Sequence, residues 1–282
     1  MVAFDYSVPG SWYDGCYIDK GSTVKASRSF SLRNGNRRAC LMLHGYQGYP
    51  GELVRPAVDL FEKGFDVYVP RLPGHGTSGD DFASSGWEDW VRLSLNAARD
   101  LSGRYGSFSI LGHSMGTALA LIASSETHPE RVVLAAPAIP SGMGMPGSDE
   151  ILRLFGDAAR ISKEWHPDRE YRMYYEDAPA DDEYLGAEYW SWVYPKGLQG
   201  LMKVLEKAEG LLHLIECPIL FIACEKDEVA GPGCAIAAAG KARNGMLKSI
   251  GNATHFCFYD KDKKAEQEAV DAVLDFLVPE IV

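Results

Sequence analysis

Ser109-Ile110-Leu111-Gly112-His113-Ser114-Met115-Gly116 is the stretch whose reading decides the fold. Phe108, Ile110 and Leu111 make a short apolar run suited to a buried strand, and residues 117–123, T-A-L-A-L-I-A, continue as a good helix former. Between them lies G-x-S-x-G. In a sharp strand-to-helix turn the two glycines leave room where side chains would collide, and the central serine is held in strained backbone with its hydroxyl at the top of a sheet.

The pattern alone is weak. With 29 glycines in 282 residues, a G-x-S-x-G is expected by chance about 0.2 times, so only its context gives it meaning. That context is read outward from Ser114.

Upstream, residues 28–32 and 39–43 read as strands, with Asn34-Gly35 between them as a tight hairpin signal. The second strand runs into His44-Gly45-Tyr46-Gln47-Gly48. Residues 50–63 then place Leu53, Ala57, Leu60 and Phe61 on one face of a helix that Gly64 stops. Residues 66–70 form the next strand and open into a turn-dense loop over 71–79. Residues 87–101 read as a helix, and 131–135 as another apolar strand. Short apolar strands alternating with helices predict a parallel sheet with right-handed crossovers, an α/β protein. Residues 1–26 read as an arm or edge segment.

After Pro137 the rhythm breaks. Residues 138–210 carry no clear strand and are rich in Met, Tyr and Trp, so they are expected to form a helical cap inserted into a core of residues 1–137 and 211–282. Strands resume at 218–223 and 246–250, with helices at 235–242 and 265–277.

A formal charge of −11 and a pI near 5.1 argue against nucleic acid or an anionic membrane as partner. The start of the chain shows neither a signal peptide nor a spanning segment, so no stable membrane anchor is expected. Six scattered cysteines without metal-ligand spacing read as reduced core thiols of a cytoplasmic protein.

Two loops follow the resumed strands: Cys224-Glu225-Lys226-Asp227-Glu228-Val229 and Gly251-Asn252-Ala253-Thr254-His255-Phe256. In a parallel sheet both lie on the edge that carries Ser114, where ligands collect. A serine nucleophile needs a base and a carboxylate to orient it, in the chain order serine, acid, histidine. Of seven histidines only His255 lies beyond the acidic loop. Asp227, Glu225 and Glu228 all remain available as the acid. His75 reads as a structural turn residue, His113 as packing, and His44 as a support for its loop.

The chain resembles the α/β-hydrolase superfamily from His44 to the C-terminal helix. Pro70-Arg71-Leu72-Pro73-Gly74-His75-Gly76-Thr77-Ser78, Trp87-Glu88-Asp89-Trp90 and the Ser114 motif are similar to those of bacterial monoacylglycerol lipases and carboxylesterases, serine hydrolases with a small helical cap. The resemblance implies Ser114 as nucleophile, Asp227 as acid, His255 as base, and an oxyanion hole from the backbone N–H groups of Tyr46 and Met115. It implies no cofactor and no metal. Cys224 departs from the pattern, since relatives commonly carry Gly three residues before the acid.

The activity so implied is hydrolysis of short to medium acyl esters or monoacylglycerols, with Met143, Met145, Trp190 and Trp192 as candidate lining of the acyl pocket. The same residues would serve another bond, such as a carbon-carbon, thioester, amide or lactone bond, and a non-catalytic receptor on this scaffold is a third alternative. A second motif, Gly142-Met143-Gly144-Met145-Pro146-Gly147, satisfies G-x-G-x-x-G. The prolines at 137, 140 and 146, and the lack of a βαβ unit with an acidic ribose ligand, set it aside as a dinucleotide site.

Overall fold

The computed structural model of the chain describes residues 2–138, 146–166 and 179–278. Its strands are β1 (Phe30–Leu32), β2 (Arg38–Leu43), β3 (Phe65–Val69), β4 (Ser107–His113), β5 (Arg131–Ala135), β6 (Ile161–Ser162), β7 (Trp192–Val193), β8 (Ile219–Cys224) and β9 (Gly245–Ile250). The helices are α1 (Val54–Glu62), α2 (Gly79–Ser84), α3 (Trp87–Arg104), α4 (Met115–Thr127), α5 (Ser148–Phe155), α6 (Pro179–Leu185), α7 (Pro195–Leu211), α8 (Pro232–Lys241) and α9 (Lys263–Leu277).

Seven strands form the main sheet in the order β1-β3-β2-β4-β5-β8-β9, parallel except for β1, which pairs antiparallel with β3. Helices cover both faces, which is why the central strands are apolar without alternation. Along β2, Ala39, Leu41 and Leu43 point into a core shared with α3, α4 and α7. Cys40 and Met42 point into the opposite core, shared with α1 and α9.

The expected hairpin at Asn34-Gly35 does not form between the flanking strands. Gly35 does turn the chain, with φ of +69°, but β1 crosses over to pair with β3, because β2 already has β3 and β4 on its two edges. Asp66, at the start of β3, holds the turn there: its Oδ1 accepts from the backbone N–H of Asn34 and Asn36 and from Asn36 Nδ2.

The loop over 71–79 runs into a short helix that hydrophobic periodicity does not signal. Ser78 caps α2 by accepting from Asp81 N at 3.2 Å, and Asp80 and Asp81 sit in its first turn. The N-terminal arm packs onto the same region. Trp12 is buried and donates through Nε1 to Asp100 of α3 at 2.8 Å. Tyr17, Lys20 and Gly21 all donate to the Asp81 carboxylate.

Between β5 and β8 the described residues hold α5, α6, a π-helical turn (Gly186–Trp190) and α7, together with a two-residue antiparallel pair, β6 with β7, where no strand was expected. Helix α7 packs against α4, the helix that begins at Met115.

Candidate active site

Ser114 links β4 to α4 with φ of 54° and ψ of −122°, a conformation that L-residues rarely adopt. The flanking glycines make the turn possible. A Cβ on Gly116 would stand 2.0 Å from the Leu43 carbonyl oxygen, and one on Gly112 would stand 2.3 Å from the carbonyl oxygen of Gly116. Leu43 closes β2 and leads into the 44–48 loop, so the same crowding that requires glycine brings that loop against Ser114. A Cβ on Gly45 would lie 3.1 Å from Ser114 Cβ.

Three residues from separate strand ends meet here. Ser114 Oγ lies 2.9 Å from His255 Nε2, and His255 Nδ1 lies 2.9 Å and 3.0 Å from the two Asp227 oxygens. The carboxylate only accepts, so Nδ1 carries the proton and Nε2 is left to accept from the serine hydroxyl. His255 and Asp227 are 4% and 8% exposed, which excludes water from the line of bonds between them.

Asp227 is itself fixed. Its Oδ1 accepts from the N–H groups of Val229 and Ala230 at 2.8 and 2.9 Å. Burial would push this carboxyl up, yet the His255 hydrogen bond and charge, with the two amides, hold it below the ordinary carboxylate value. Glu225 and Glu228 are exposed, so among the three acids of this loop Asp227 is the one that meets the histidine. The loop before His255 is tied down by Asp260, fully buried, which accepts from Thr254 N and Oγ1 at 2.7 and 2.9 Å.

His44 supports the neighbouring loop as the sequence suggests. Its Nε2 accepts from Leu72 N at 3.0 Å, so Nδ1 carries the proton and donates to the Gly45 carbonyl at 3.0 Å. Burial drives its pKa down to about 4, and the ring is neutral. His75 is fully buried in its turn with Nδ1 3.1 Å from the Pro73 carbonyl. His113 does more than pack, because both of its nitrogens are hydrogen-bonded.

Tyr46 follows Gly45 in the loop against Ser114, and Met115 opens α4, where the first amides of a helix lack intrahelical partners. Trp190 and Trp192 are half-buried and approach Gln47, the next residue of that loop, which has φ of 53°. Trp190 Nε1 donates to the Gln47 carbonyl at 2.8 Å, and Gln47 Nε2 donates to the carbonyls of Tyr189 and Trp192 at 3.2 and 3.5 Å. Met143 and Met145 lie outside the described residues, as does the second glycine motif up to residue 145; its last residue, Gly147, precedes α5 as the N-cap. Gln47, Glu52 and Asp260 were not singled out in the sequence: no local pattern marks a residue whose partners lie on distant loops.

The sequence model described as Alpha/beta hydrolase family matches residues 40–269. A thermostable monoacylglycerol lipase of Bacillus sp. (strain H-257) is 29% identical over 199 residues, covering 68% of this chain and 72% of the relative. A carboxylesterase of Bacillus subtilis (strain 168) is 27% identical over 99 residues, 35% of this chain and 40% of the relative. A solved structure from work on LipS and LipT, two metagenome-derived lipolytic enzymes, superposes with a TM-score of 0.71 at 22% identity, covering 89% of this chain and 99% of its own.

Proposed function

The chain belongs to the α/β-hydrolase family, and from that premise we propose that it is a serine carboxylic-ester hydrolase working through an acyl-enzyme. One observation carries this reading: the unbroken line of hydrogen bonds from Ser114 Oγ through the His255 ring to Asp227.

A neutral hydroxyl is a poor nucleophile near pH 7. His255 Nε2 takes the Ser114 proton as Oγ attacks the ester carbonyl, then returns it to the leaving alcohol. Asp227 fixes the Nδ1–H tautomer and stabilises the imidazolium formed in each half-reaction. Negative charge on the carbonyl oxygen is met by the N–H groups of Tyr46 and Met115, each such donor lowering the barrier by about 3 kcal/mol. Water, activated by the same histidine, then releases the acid. No step needs a metal or an organic cofactor.

Residues 138–210 serve in this proposal as a cap over the core formed by residues 1–137 and 211–282. The aromatic side chains of Tyr189, Trp190 and Trp192, set against the loop beside Ser114, support an apolar acyl site. Short to medium acyl esters or monoacylglycerols are the proposed substrates, consistent with the names of the two Bacillus relatives. Cytoplasmic action is part of the same proposal, supported by six free cysteines.

A panel of p-nitrophenyl esters from acetyl to lauroyl, run beside matched amides and a diketone, tests it. Turnover confined to the esters, with a maximum at one chain length, is expected; faster cleavage of the amide or diketone would replace ester hydrolysis by the other bond.

A further inference from the structure

Glu52 is a carboxylate only 5% exposed, packed beneath the site rather than in it. It lies on a short 3-10 turn (Pro50–Leu53) and is wedged so closely under the 44–48 loop that a Cβ on Gly48 would stand 2.2 Å from its Oε1. Its Oε2 lies 3.2 Å from His113 Nδ1 and 3.5 Å from Gly45 N. His113, itself 2% exposed, closes β4 directly before Ser114. Its Nε2 is 2.8 Å from the carbonyl oxygen of His255, and the two imidazole rings are 5.3 Å apart.

The hydrogen bonds place one proton outright. A main-chain carbonyl can only accept, so Nε2 carries a proton; the second lies between Nδ1 and Glu52 Oε2, and the Gly45 amide donating to that same oxygen favours the ionised carboxylate with the proton on Nδ1. Burial favours the neutral form of each partner, but the mutual hydrogen bond and charge override it, lowering Glu52 and raising His113 relative to their ordinary values. Of the other titratable groups facing the pair, the Asp227 carboxylate raises His113; the buried His44 ring is neutral, Tyr49, Tyr189 and Tyr259 are held protonated by burial, and the His255 ring lies 5.3 Å from that of His113.

We propose that Glu52 and His113 form a buried carboxylate-imidazolium pair that positions the Ser114, His255 and Gly45 loops relative to one another. Three segments meet at these two side chains: the turn carrying Ser114 through His113 itself, the base loop through the His255 carbonyl, and the loop beside Ser114 through Gly45 N. Neither residue touches the reacting atoms. Both act through His255 and through the loop that leads to Tyr46, so the inference rests on the serine-hydrolase proposal. A buried pair of this kind specifies geometry rather than adding stability, because desolvation offsets much of its attraction.

The test combines kinetics with a direct view of the ring. Glu52→Gln keeps the shape of the side chain and removes its charge; His113→Asn removes the link to the base loop. Each is expected to lower kcat by about 10-fold to 100-fold, the upper end being what a misplacement of about 1 Å can cost, while KM stays within about twofold. The double variant should be no slower than the slower single variant, since the two act as one unit. In wild-type protein at pH 7, nitrogen NMR should show both His113 nitrogens protonated, and in Glu52→Gln only one.

A folded Glu52→Gln protein with wild-type kcat, or losses that multiply in the double variant, would overturn the inference. If Glu52→Gln does not fold, the wild-type spectrum decides: a neutral His113 ring overturns the pair and a doubly protonated ring upholds it. Wild-type protein that hydrolyses no ester instead refutes the serine-hydrolase proposal, and the spectrum still judges the pair.

Discussion

Trp190 donates its indole N–H to the carbonyl oxygen of Gln47 at 2.8 Å, joining the segment between β5 and β8 to the loop beside Ser114. Gln47 returns the contact with its own side chain, to Tyr189 and Trp192. Trp190 also packs against the rings of Tyr49 and Trp165, 5.7 and 5.6 Å between centroids; Trp190→Phe leaves an aromatic ring there and removes the donor together with the five-membered half of the indole. A lost hydrogen bond of about 1 kcal/mol is expected to lower kcat/KM on a butyryl ester about fivefold. Unchanged kinetics would mean that the loop holds its shape without this bond.

Gly116→Ala should fail through packing rather than chemistry. The added methyl would sit 2.0 Å from the Leu43 carbonyl oxygen, and backbone on both sides must move to admit it. A loss of about 3 kcal/mol or more is expected, read as a lowered midpoint in urea with the slope unchanged. A variant as stable as wild type would contradict the close approach of β2 to the start of α4.

Much of this architecture is legible in the sequence because it is local. Apolar runs bounded by turns mark β2, β3, β4, β5, β8 and β9, and glycine spacing around Ser114 marks the turn that the packing of Gly112 and Gly116 then requires. What periodicity does not encode is which strand pairs with which. The Asn34-Gly35 turn is real, yet its strands are separated by β3, since a turn signal specifies a bend and not the neighbour. Glu52 is opaque for a similar reason: it lies 61 residues before His113, and in the chain it reads only as an acid in a helix start.

The Asp227 carboxyl has a pH signature with a definite sign. Its pKa is lowered in the folded protein, so its contribution to stability is fully present above the ordinary value of 3.8 and is lost as pH falls through the lower folded value. The difference in unfolding free energy between wild type and Asp227→Asn is therefore expected to shrink as pH falls below about 4. A difference that keeps growing below that pH would contradict the assignment of Asp227 as the ionised partner of His255.

The N-terminal arm is expected to be structural. Trp12 is 1% exposed, packs 5.6 Å from the Tyr68 ring and donates to Asp100. Trp12→Ala should lower stability by about 3–5 kcal/mol, measured by denaturant unfolding, while any remaining folded enzyme keeps its KM.

The central claim is that Ser114 forms the covalent bond. Purified protein treated with a fluorophosphonate should gain the mass of one phosphonyl group, mapped to the peptide carrying Ser114, as ester turnover falls to zero in proportion. Ser114→Ala should take no label and lose about four orders of magnitude or more in kcat. Folded wild-type protein that stays unlabelled and hydrolyses no ester, or a Ser114→Ala variant that is labelled and active, would contradict it.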